Sequence, residues 1–184
     1  METTAQNKPR MTAEEYFKAT AETTQPTELI NGEIVAQASL SAQHQDIALG
    51  LASELRGFIK KNGGKCKPFI SPMDVRLDDQ NVVQPDVFIT CRPENLTEQY
   101  LNGAPDFVAE IVSSNRSDDF DRKLLMYRTA GVREYWIIDP RYRKTLVYFF
   151  AQGEFPDIYT FDTPIPVRIW DGKLHITISE LETL

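Results

Sequence analysis

One short segment, FVAEIVS at positions 107–113, constrains the fold more than any other part of this 184-residue chain. Its apolar residues are nearly continuous, which is typical of a strand covered on both faces by other elements. Glu110 interrupts this run. Because a carboxylate is costly to bury unless it is paired or bound to a metal, the segment predicts a central strand that carries a partnered acid.

Helical patterns lie on both sides of this segment in the chain. Positions 41–61 repeat apolar residues at helical spacing, and Asn62-Gly63-Gly64 ends the pattern. A second helix is predicted to open at Ser117, with acidic residues in its first turn, and to stop at Gly131. A short capped helix is expected after Thr12.

Strand patterns occupy much of the remaining chain. Asn31-Gly32 between two alternating arms predicts a β-hairpin, because a tight turn needs positive φ at both central positions. The other predicted strands are FISPMDVRL, VVQPDVFIT, VREYWIID and two hairpin-like tail segments, LVYFFAQGEFPDIYTF and VRIWDGKLHITI. The order β-β-α-β-β-β-α-β-β predicts an α/β (α+β) fold, with a mixed β-sheet, a helix on each side, an N-terminal hairpin and additional C-terminal strands.

Length and composition indicate one domain over residues 1–184, with residues 1–11 expected to be flexible. The longest apolar runs are far shorter than the roughly 20 residues of a membrane span. The first ten residues show no apolar leader segment. Cys66 and Cys91 are far apart in sequence, which favours inert thiols over a disulfide framework or a zinc site. These features predict a cytoplasmic protein.

The formal net charge of −7 argues against a protein that holds nucleic acid by bulk charge. Binding is local, however, and the chain has two basic stretches. The first contains Lys60, Lys61, Lys65 and Lys67, and the second contains Arg141, Arg143 and Lys144. The charge therefore excludes a histone-like binder but leaves a nucleic-acid enzyme open.

The chain lacks a Gly-rich phosphate loop, HExxH, a nucleophile elbow and CxxC, so carboxylates are the remaining candidates for chemistry. Asp86 follows Pro85 inside a strand pattern, much as Glu110 lies inside its own run. If the two strands are neighbours, both acids could offer oxygen ligands to a hard cation such as Mg²⁺. Lys123, in the following helix, could orient an attacking water or stabilise developing phosphate charge.

Each of these residues also has a plain structural explanation. Asp86 could cap a turn, Glu110 could pair with Arg122 or Arg133, and Lys123 could be a solvated helix residue. The conjunction of all three favours a functional site.

A series of ordered blocks resembles the Uma2 family within the PD-(D/E)XK nuclease superfamily. The blocks are ELINGEIV, His44 at the head of a helix, QPDVFI, APDFVAEIVS, the series Asp119, Lys123 and Tyr127, and AGVREYWIIDP. The resemblance covers nearly the whole chain from about Thr12. It implies a restriction-endonuclease-like fold and cleavage of nucleic-acid phosphodiester bonds, with DNA as the expected substrate and Mg²⁺ or Mn²⁺ as the cofactor.

The resemblance assigns roles to two acids and a lysine. Asp86 and Glu110 match the two acids of the superfamily signature and would bind the metal. The lysine of that signature would stand at position 112, which is Val112 here. As in the family, the lysine is displaced to the next helix, so Lys123 takes its part.

Two further residues match positions of the family. Glu28 would be an accessory acid that binds metal or positions water, and Glu33 is the competing choice. His44 would contact phosphate or water, and a surface or capping histidine is the alternative. Tyr127 is expected to pack under the site, and His175 is expected to be structural.

Three functions are compatible with these patterns. A nuclease is the leading hypothesis, a non-catalytic interaction module with the nuclease fold is the alternative, and a hydrolase of another substrate is the third. A homodimer is expected if both strands of a duplex are cut. The aromatic LVYFF segment could supply an edge for pairing, although an ordinary core strand explains it equally well.

Overall fold

The computed structural model describes residues 10–37, 39–113 and 120–183, and for residues 120 and 121 the backbone alone. Its helices are α1 (Ala13–Thr20), α2 (Ala42–Asn62) and α3 (Phe120–Ala130). Its strands are β1 (Thr27–Ile30), β2 (Glu33–Ala36), β3 (Lys67–Ile70), β4 (Asp74–Arg76), β5 (Val82–Val83), β6 (Val87–Thr90), β7 (Tyr100–Asn102), β8 (Phe107–Ile111), β9 (Glu134–Asp139), β10 (Lys144–Phe149), β11 (Asp157–Thr160), β12 (Ile165–Pro166) and β13 (His175–Ile176). Residues 1–9, and Ser117 and Asp119 at the predicted opening of the second helix, lie outside the described residues.

A six-stranded mixed sheet forms the centre of the molecule, in the order β11-β10-β9-β8-β6-β3. β8 and β9 are parallel, and the other neighbours in this sheet are antiparallel. All five residues of β8 are buried, so the predicted central strand is confirmed. α2 packs on one face of the sheet through Ile47, Leu51 and Leu55, and α3 packs on the other face through Tyr127. The fold is mixed α+β, as predicted.

A second sheet of five strands, in the order β2-β1-β5-β4-β7, corrects the expectation of one sheet. Two segments predicted as single strands each divide between the sheets. FISPMDVRL becomes β3 and β4, and VVQPDVFIT becomes β5 and β6. Pro72 and Pro85 lie at the two breaks, where a residue without a backbone N–H cannot continue a hydrogen-bonded ladder.

Local signals set several of the element boundaries. The side chain of Ser41 caps α2 by accepting a hydrogen bond from the His44 backbone N–H (3.1 Å), and Gly63 follows the last helical residue with φ 72°. Asn31 and Gly32 both have positive φ, at 51° and 77°, and join β1 to β2 in the predicted hairpin.

The C-terminal strands agree with the predictions in part. β10 and β11 form the predicted hairpin. In the next segment β12 and β13 pair over two residues each, and a 3₁₀ helix, Arg168–Trp170, lies between them. β10 has β9 on one side and β11 on the other, so the idea that LVYFF offers a free edge is wrong. Its aromatic residues belong to an interior strand.

The two cysteines form a disulfide, which corrects the prediction of inert thiols. They are 25 residues apart in sequence. β3 and β6 pair antiparallel with Lys67 opposite Thr90, and the next position in that register brings Cys66 opposite Cys91. The distance between the two cysteines in the sequence did not predict their distance in space, because the pairing of β3 with β6 brings them together.

None of the helices in the described ranges has the length and apolar character needed to cross a lipid bilayer.

Candidate active site

Asp86 lies where the chain passes from one sheet to the other. It follows Pro85 and directly precedes β6, whereas β5, on the other side of the break, belongs to the five-stranded sheet. The side chain is largely buried, and its Oδ2 accepts hydrogen bonds from the Ile111 backbone N–H (2.7 Å) and from His44 Nε2 (3.0 Å). The bond from Ile111 ties Asp86 to β8, the strand that carries Glu110.

Glu110 is buried in β8 and is held by two residues of α3. Its Oε1 accepts hydrogen bonds from Lys123 Nζ (3.0 Å) and from Tyr127 OH (2.7 Å). Lys123 and Tyr127 are four residues apart, so they lie on one face of the helix. Both are buried, with exposed fractions of 3% and 0%. The predicted neighbourhood of Glu110 and Lys123 is therefore observed.

Glu28 joins this group from the other sheet. It lies in β1 with 1% of its surface exposed. Its Oε1 accepts hydrogen bonds from Lys123 Nζ (3.1 Å) and from the Gln84 backbone N–H (2.9 Å). The ammonium of Lys123 therefore bridges an acid of the five-stranded sheet and an acid of the six-stranded sheet. We call Glu28, Asp86, Glu110 and Lys123 the acidic cluster.

Burial dominates the electrostatics of the acidic cluster. It is the largest cause of the raised pKa of Glu110, which the charge of Lys123 and the Tyr127 hydrogen bond oppose and the charges of Asp86 and Glu28 support. Together these effects place the pKa of Glu110 at about 7. Burial and then the charge of Glu110 raise the pKa of Tyr127 well above its usual range, so its hydroxyl remains a donor. The cluster holds more negative charge than its lysine balances.

Several carboxylate oxygens of the cluster are left for an outside ligand. No described residue donates a hydrogen bond to Asp86 Oδ1, Glu110 Oε2 or Glu28 Oε2. Mg²⁺ takes oxygen ligands, often one or two carboxylates with several waters. Within residues 10–37, 39–113 and 120–183, no three His, Cys, Asp or Glu side chains gather around one metal position. The oxygens left open in the cluster are carboxylate oxygens, the type of ligand that a hard divalent cation prefers.

The structure also separates the alternatives for individual residues. Glu33 is exposed on β2, so of the two competing glutamates Glu28 is the one in the cluster. Arg133 lies 3.4 Å from Asp106 and does not pair with Glu110. His44 is 3% exposed and contacts Asp86, which removes the surface alternative. His175 is exposed at the start of β13, away from these contacts.

Sequence reasoning missed two polar neighbours of the cluster. Gln84 Nε2 donates a hydrogen bond to Asp74 Oδ1 (2.9 Å), while its backbone N–H reaches Glu28. Burial raises the pKa of Asp74, and the charge of Glu28 raises it further. The one available signal was a polar residue in each of two apolar strand patterns. Tyr127 was placed correctly under the site, but its hydrogen bond to Glu110 was not foreseen.

The two basic stretches differ in the structure. The side chains of Lys60, Lys61, Lys65 and Lys67, at the end of α2 and the start of β3, are all exposed. In the second stretch, Arg141 lies 3.1 Å from Asp139 and Arg143 lies 3.0 Å from Glu182. These ion pairs already occupy both arginines, so the four lysines are the better candidates for contact with an anion.

Comparisons with known proteins give the family. The Uma2 family model, described as "Putative restriction endonuclease", matches residues 13–167. An uncharacterized protein of Synechocystis sp. is 28% identical over 134 residues, which are 70% of this chain and 75% of that protein. A second uncharacterized protein of the same organism is 26% identical over 115 residues, which are 62% of this chain and 59% of that protein.

A solved structure gives the fold. The crystal structure of "a putative nuclease belonging to DUF820" from Anabaena variabilis matches with a TM-score of 0.78 and 23% sequence identity. The match covers 93% of this chain and 97% of that chain. This likeness shows the fold, and the description of the matching family supports a nuclease function. Because the family model spans residues 13–167, the chain belongs to the Uma2 family.

Proposed function

We propose that the protein is a divalent-metal-dependent endonuclease that hydrolyses phosphodiester bonds of DNA. The acidic cluster is the observation that carries this proposal. It buries three carboxylates, of which Glu28 and Glu110 share the ammonium of Lys123, while Asp86 is held by His44 and the Ile111 N–H. Such an arrangement is costly unless more positive charge arrives. A divalent cation would supply that charge where a phosphate must be bound.

Asp86 and Glu110 are the residues proposed to hold Mg²⁺ or Mn²⁺, through the oxygens that take no hydrogen bond from the described residues. When bound, such an ion acts as a Lewis acid on the phosphate and lowers the pKa of a bound water. Glu28 is proposed as an accessory acid that positions water. Lys123, which contacts Glu28 and Glu110, is proposed to stabilise the negative charge that develops on the phosphate.

The protein fixes the position of these groups before the substrate binds. Lys123 is held by two carboxylates, and Glu110 is held by Lys123 and Tyr127. His44 and the Ile111 N–H hold one oxygen of Asp86 and leave the other available. Groups that need no reorganisation during the reaction contribute most to the rate.

The exposed lysines at positions 60, 61, 65 and 67 are proposed to contact the DNA backbone. Their charge is local, so it can act although the whole chain carries a net charge of −7. The acids of the cluster would repel a phosphate until a cation neutralises part of their charge. Binding is therefore expected to depend on the metal and to be weak without it.

Cleavage is tested by incubating the purified protein with single-stranded, duplex and branched DNA and with RNA, with Mg²⁺, with Mn²⁺ and with a chelator. We expect cleavage of DNA with metal and none with the chelator. Glu110→Gln should reduce the rate by at least 100-fold, because a neutral amide replaces a negatively charged ligand of the proposed cation. An absence of cleavage under every condition, or a Glu110→Gln variant as active as the wild type, would overturn the proposal.

Glu134→Gln is the matched control for Glu110→Gln. Glu134 is also a buried glutamate in the six-stranded sheet, and burial also raises its pKa to about 7. It contacts Trp136 and Ile169 instead of the acidic cluster. We expect this variant to cut at a rate within a few-fold of the wild type. DNA binding without cleavage in the wild-type protein would favour the non-catalytic module instead.

A homodimer is part of this proposal, because cutting both strands of a duplex calls for two sites. β11 forms one edge of the six-stranded sheet, and Ile158 on this strand is 63% exposed. An exposed apolar edge can pair with a second copy. Sedimentation should show a dimer that Ile158→Lys converts to a monomer, and a monomeric wild type would contradict this part. The cytoplasmic location stays a prediction, and the disulfide removes the inert thiols on which it partly rested.

A further inference from the structure

A cleft of about 340 Å³ lies beside the acidic cluster and shares Asp86 with it. Its walls are mainly apolar and include Leu40, Leu49 and Ile70. His44 and Asp86 are also among its lining residues. Its volume lies at the lower end of the range for sites that hold small organic groups. A cleft of this size suits one flat group about as large as a nucleoside.

Two of the wall residues are unusually exposed for their type. Leu49 is 61% exposed on α2, and Ile70 is 44% exposed at the end of β3. Each exposes a large aliphatic side chain on the same cleft. Apolar groups clustered beside polar residues are typical of surfaces that bind a ligand. The side chain of Gln45, on the rim, makes no hydrogen bond with a described residue and can donate or accept one.

The position of Asp86 indicates what this ligand is. Under the proposed function, on which this inference rests, the phosphate at the cut lies against Asp86 and Glu110. The group covalently attached to that phosphate is a sugar with its base. The cleft is an apolar surface directly beside this position, because Asp86 also lines the cleft. In a regular duplex each base is stacked and paired, so only an unstacked base can enter.

We propose that the cleft formed by Leu49 and Ile70 binds one unstacked nucleobase next to the phosphate at Asp86. The base packs its apolar faces between the two aliphatic side chains, and Gln45 is placed to meet its polar edge. This arrangement selects strands that are single or locally unpaired near the cut. It tolerates different bases, because each base has an apolar face.

The test compares the affinities of two DNA strands that differ only in whether the central nucleotide carries a base. A five-nucleotide single strand with 2-aminopurine at its centre is titrated with the wild-type protein at low salt, with Ca²⁺ in place of Mg²⁺ so that a cation is present. Electrophoresis after the titration checks that the strand is still intact. The second ligand is the same strand with an abasic site at its centre. We expect the 2-aminopurine strand to bind about 10-fold more tightly and its fluorescence to change as the base leaves its stacked neighbours.

Leu49→Ala and Ile70→Ala should each lower the affinity for the 2-aminopurine strand toward that of the abasic strand and leave the abasic strand unaffected. Leu125→Ala is the matched control, because Leu125 is 66% exposed on α3 and does not line the cleft. It should change neither affinity. Circular dichroism checks that each variant is folded, and Ile70→Ser serves if an alanine variant is not.

Several outcomes would overturn the proposal. One is equal binding of the two strands by the wild type, and another is an equal loss of affinity for both strands in Leu49→Ala. A third is a wild-type dimer that Leu49→Ala alone dissociates, which would show that a second copy covers the cleft. The proposed function fails separately: a protein that discriminates the two strands but cuts no substrate supports the cleft and refutes the nuclease.

Discussion

Lys123 shows how one side chain can hold together a charged interior. It contacts acids from both sheets, Glu28 at 3.1 Å and Glu110 at 3.0 Å, although almost none of its surface meets solvent. Buried charges of one sign repel each other strongly when water does not screen them. The lysine is therefore a structural counter-ion as well as a proposed contributor to the reaction.

Replacing Lys123 with Met keeps the length of the side chain and removes its charge. We expect the free energy of unfolding to fall by about 3–5 kcal/mol, because the two acids lose their shared partner. Cleavage should fall by at least 100-fold. Lys60→Met, which changes an exposed lysine, should alter stability by less than about 0.5 kcal/mol. Urea titrations and cleavage rates measure both effects, and a fully active Lys123→Met protein would remove the lysine from the mechanism.

Tyr127→Phe removes a single hydroxyl that donates to Glu110 at 2.7 Å. The ring remains in the core, so we expect a loss of about 1–3 kcal/mol in the free energy of unfolding. Because the hydroxyl orients Glu110, kcat should fall by about 10-fold with little change in KM.

Tyr16→Phe is the control for this variant. Tyr16 is also buried, and its hydroxyl donates to the Thr27 carbonyl at 2.7 Å. It should lose similar stability and keep its kcat. Equal losses of kcat in the two variants would mean that Tyr127 acts on stability alone.

At the scale of elements, a buried acid fastens the C-terminal segment to the central sheet. Glu134 in β9 accepts hydrogen bonds from Trp136 Nε1 (2.8 Å) and from the Ile169 backbone N–H (2.8 Å). Ile169 belongs to the 3₁₀ helix Arg168–Trp170. Burial, opposed by these hydrogen bonds, raises the pKa of Glu134 from 4.5 to about 7.

This raised pKa predicts a dependence of stability on pH. The folded protein favours the protonated form of Glu134, so this residue stabilises the fold fully below about pH 4.5. The stabilisation is lost as the pH rises through 7, and the loss amounts to about 3 kcal/mol in the free energy of unfolding. Urea midpoints measured between pH 5 and 8 should fall more steeply with pH in the wild type than in Glu134→Gln. Parallel pH dependences in the two proteins would contradict the assignment.

The disulfide between the ends of β3 and β6 gives a second prediction at this scale. Denatured protein should show no free thiol before reduction and two afterwards, measured with a thiol-reactive dye. Cys91→Ser should lower the free energy of unfolding by about 2–4 kcal/mol, because the cross-link closes a loop of 25 residues. Two free thiols in the freshly purified protein would show that the bond is not formed in solution.

At the scale of the whole molecule, binding of a cation should stabilise the fold. If Mg²⁺ binds to the folded protein and not to the unfolded chain, a Mg²⁺ concentration of 100 times its Kd adds about 2.7 kcal/mol to the free energy of unfolding. The Tm should then rise by about 7 °C and return after chelation. Glu110→Gln should abolish the shift, and Glu134→Gln should keep it. A wild-type Tm that does not change when Mg²⁺ or Mn²⁺ is added would contradict the proposed metal site.

The sequence predicted those parts of the molecule that depend on local signals. FVAEIVS is a fully buried strand because its apolar residues leave no polar face, and α2 has its cap at Ser41 and its stop at Gly63 because both signals are local. The division of VVQPDVFIT between two sheets depends on which strands pair, which short segments do not encode. The disulfide and the Gln84 contacts were missed for the same reason.

The residues that meet at the candidate site could be predicted from the sequence more completely than the pairing of the strands around it. Asp86 and Glu110 were recognisable as acids inside apolar strand patterns, and Lys123 as a cation in the helix that follows. The resemblance to a family supplied Glu28 and His44. The proximity of all five is observed, while their roles stay predictions. The resemblance could not supply the hydroxyl of Tyr127 as a partner of Glu110, because that contact depends on how α3 is seated on the sheet.

Lys123 contacts acids from two separately hydrogen-bonded sheets, Glu28 in one and Glu110 in the other. The geometry of the site therefore depends on how the two sheets are aligned. A slip of about one ångström between the sheets would break the contact of Lys123 with either Glu28 or Glu110 while leaving every strand intact. Gentle heating or mild denaturant should therefore switch off catalysis before secondary structure is lost. Activity would then measure how the two sheets are aligned, whereas circular dichroism would measure the secondary structure within them.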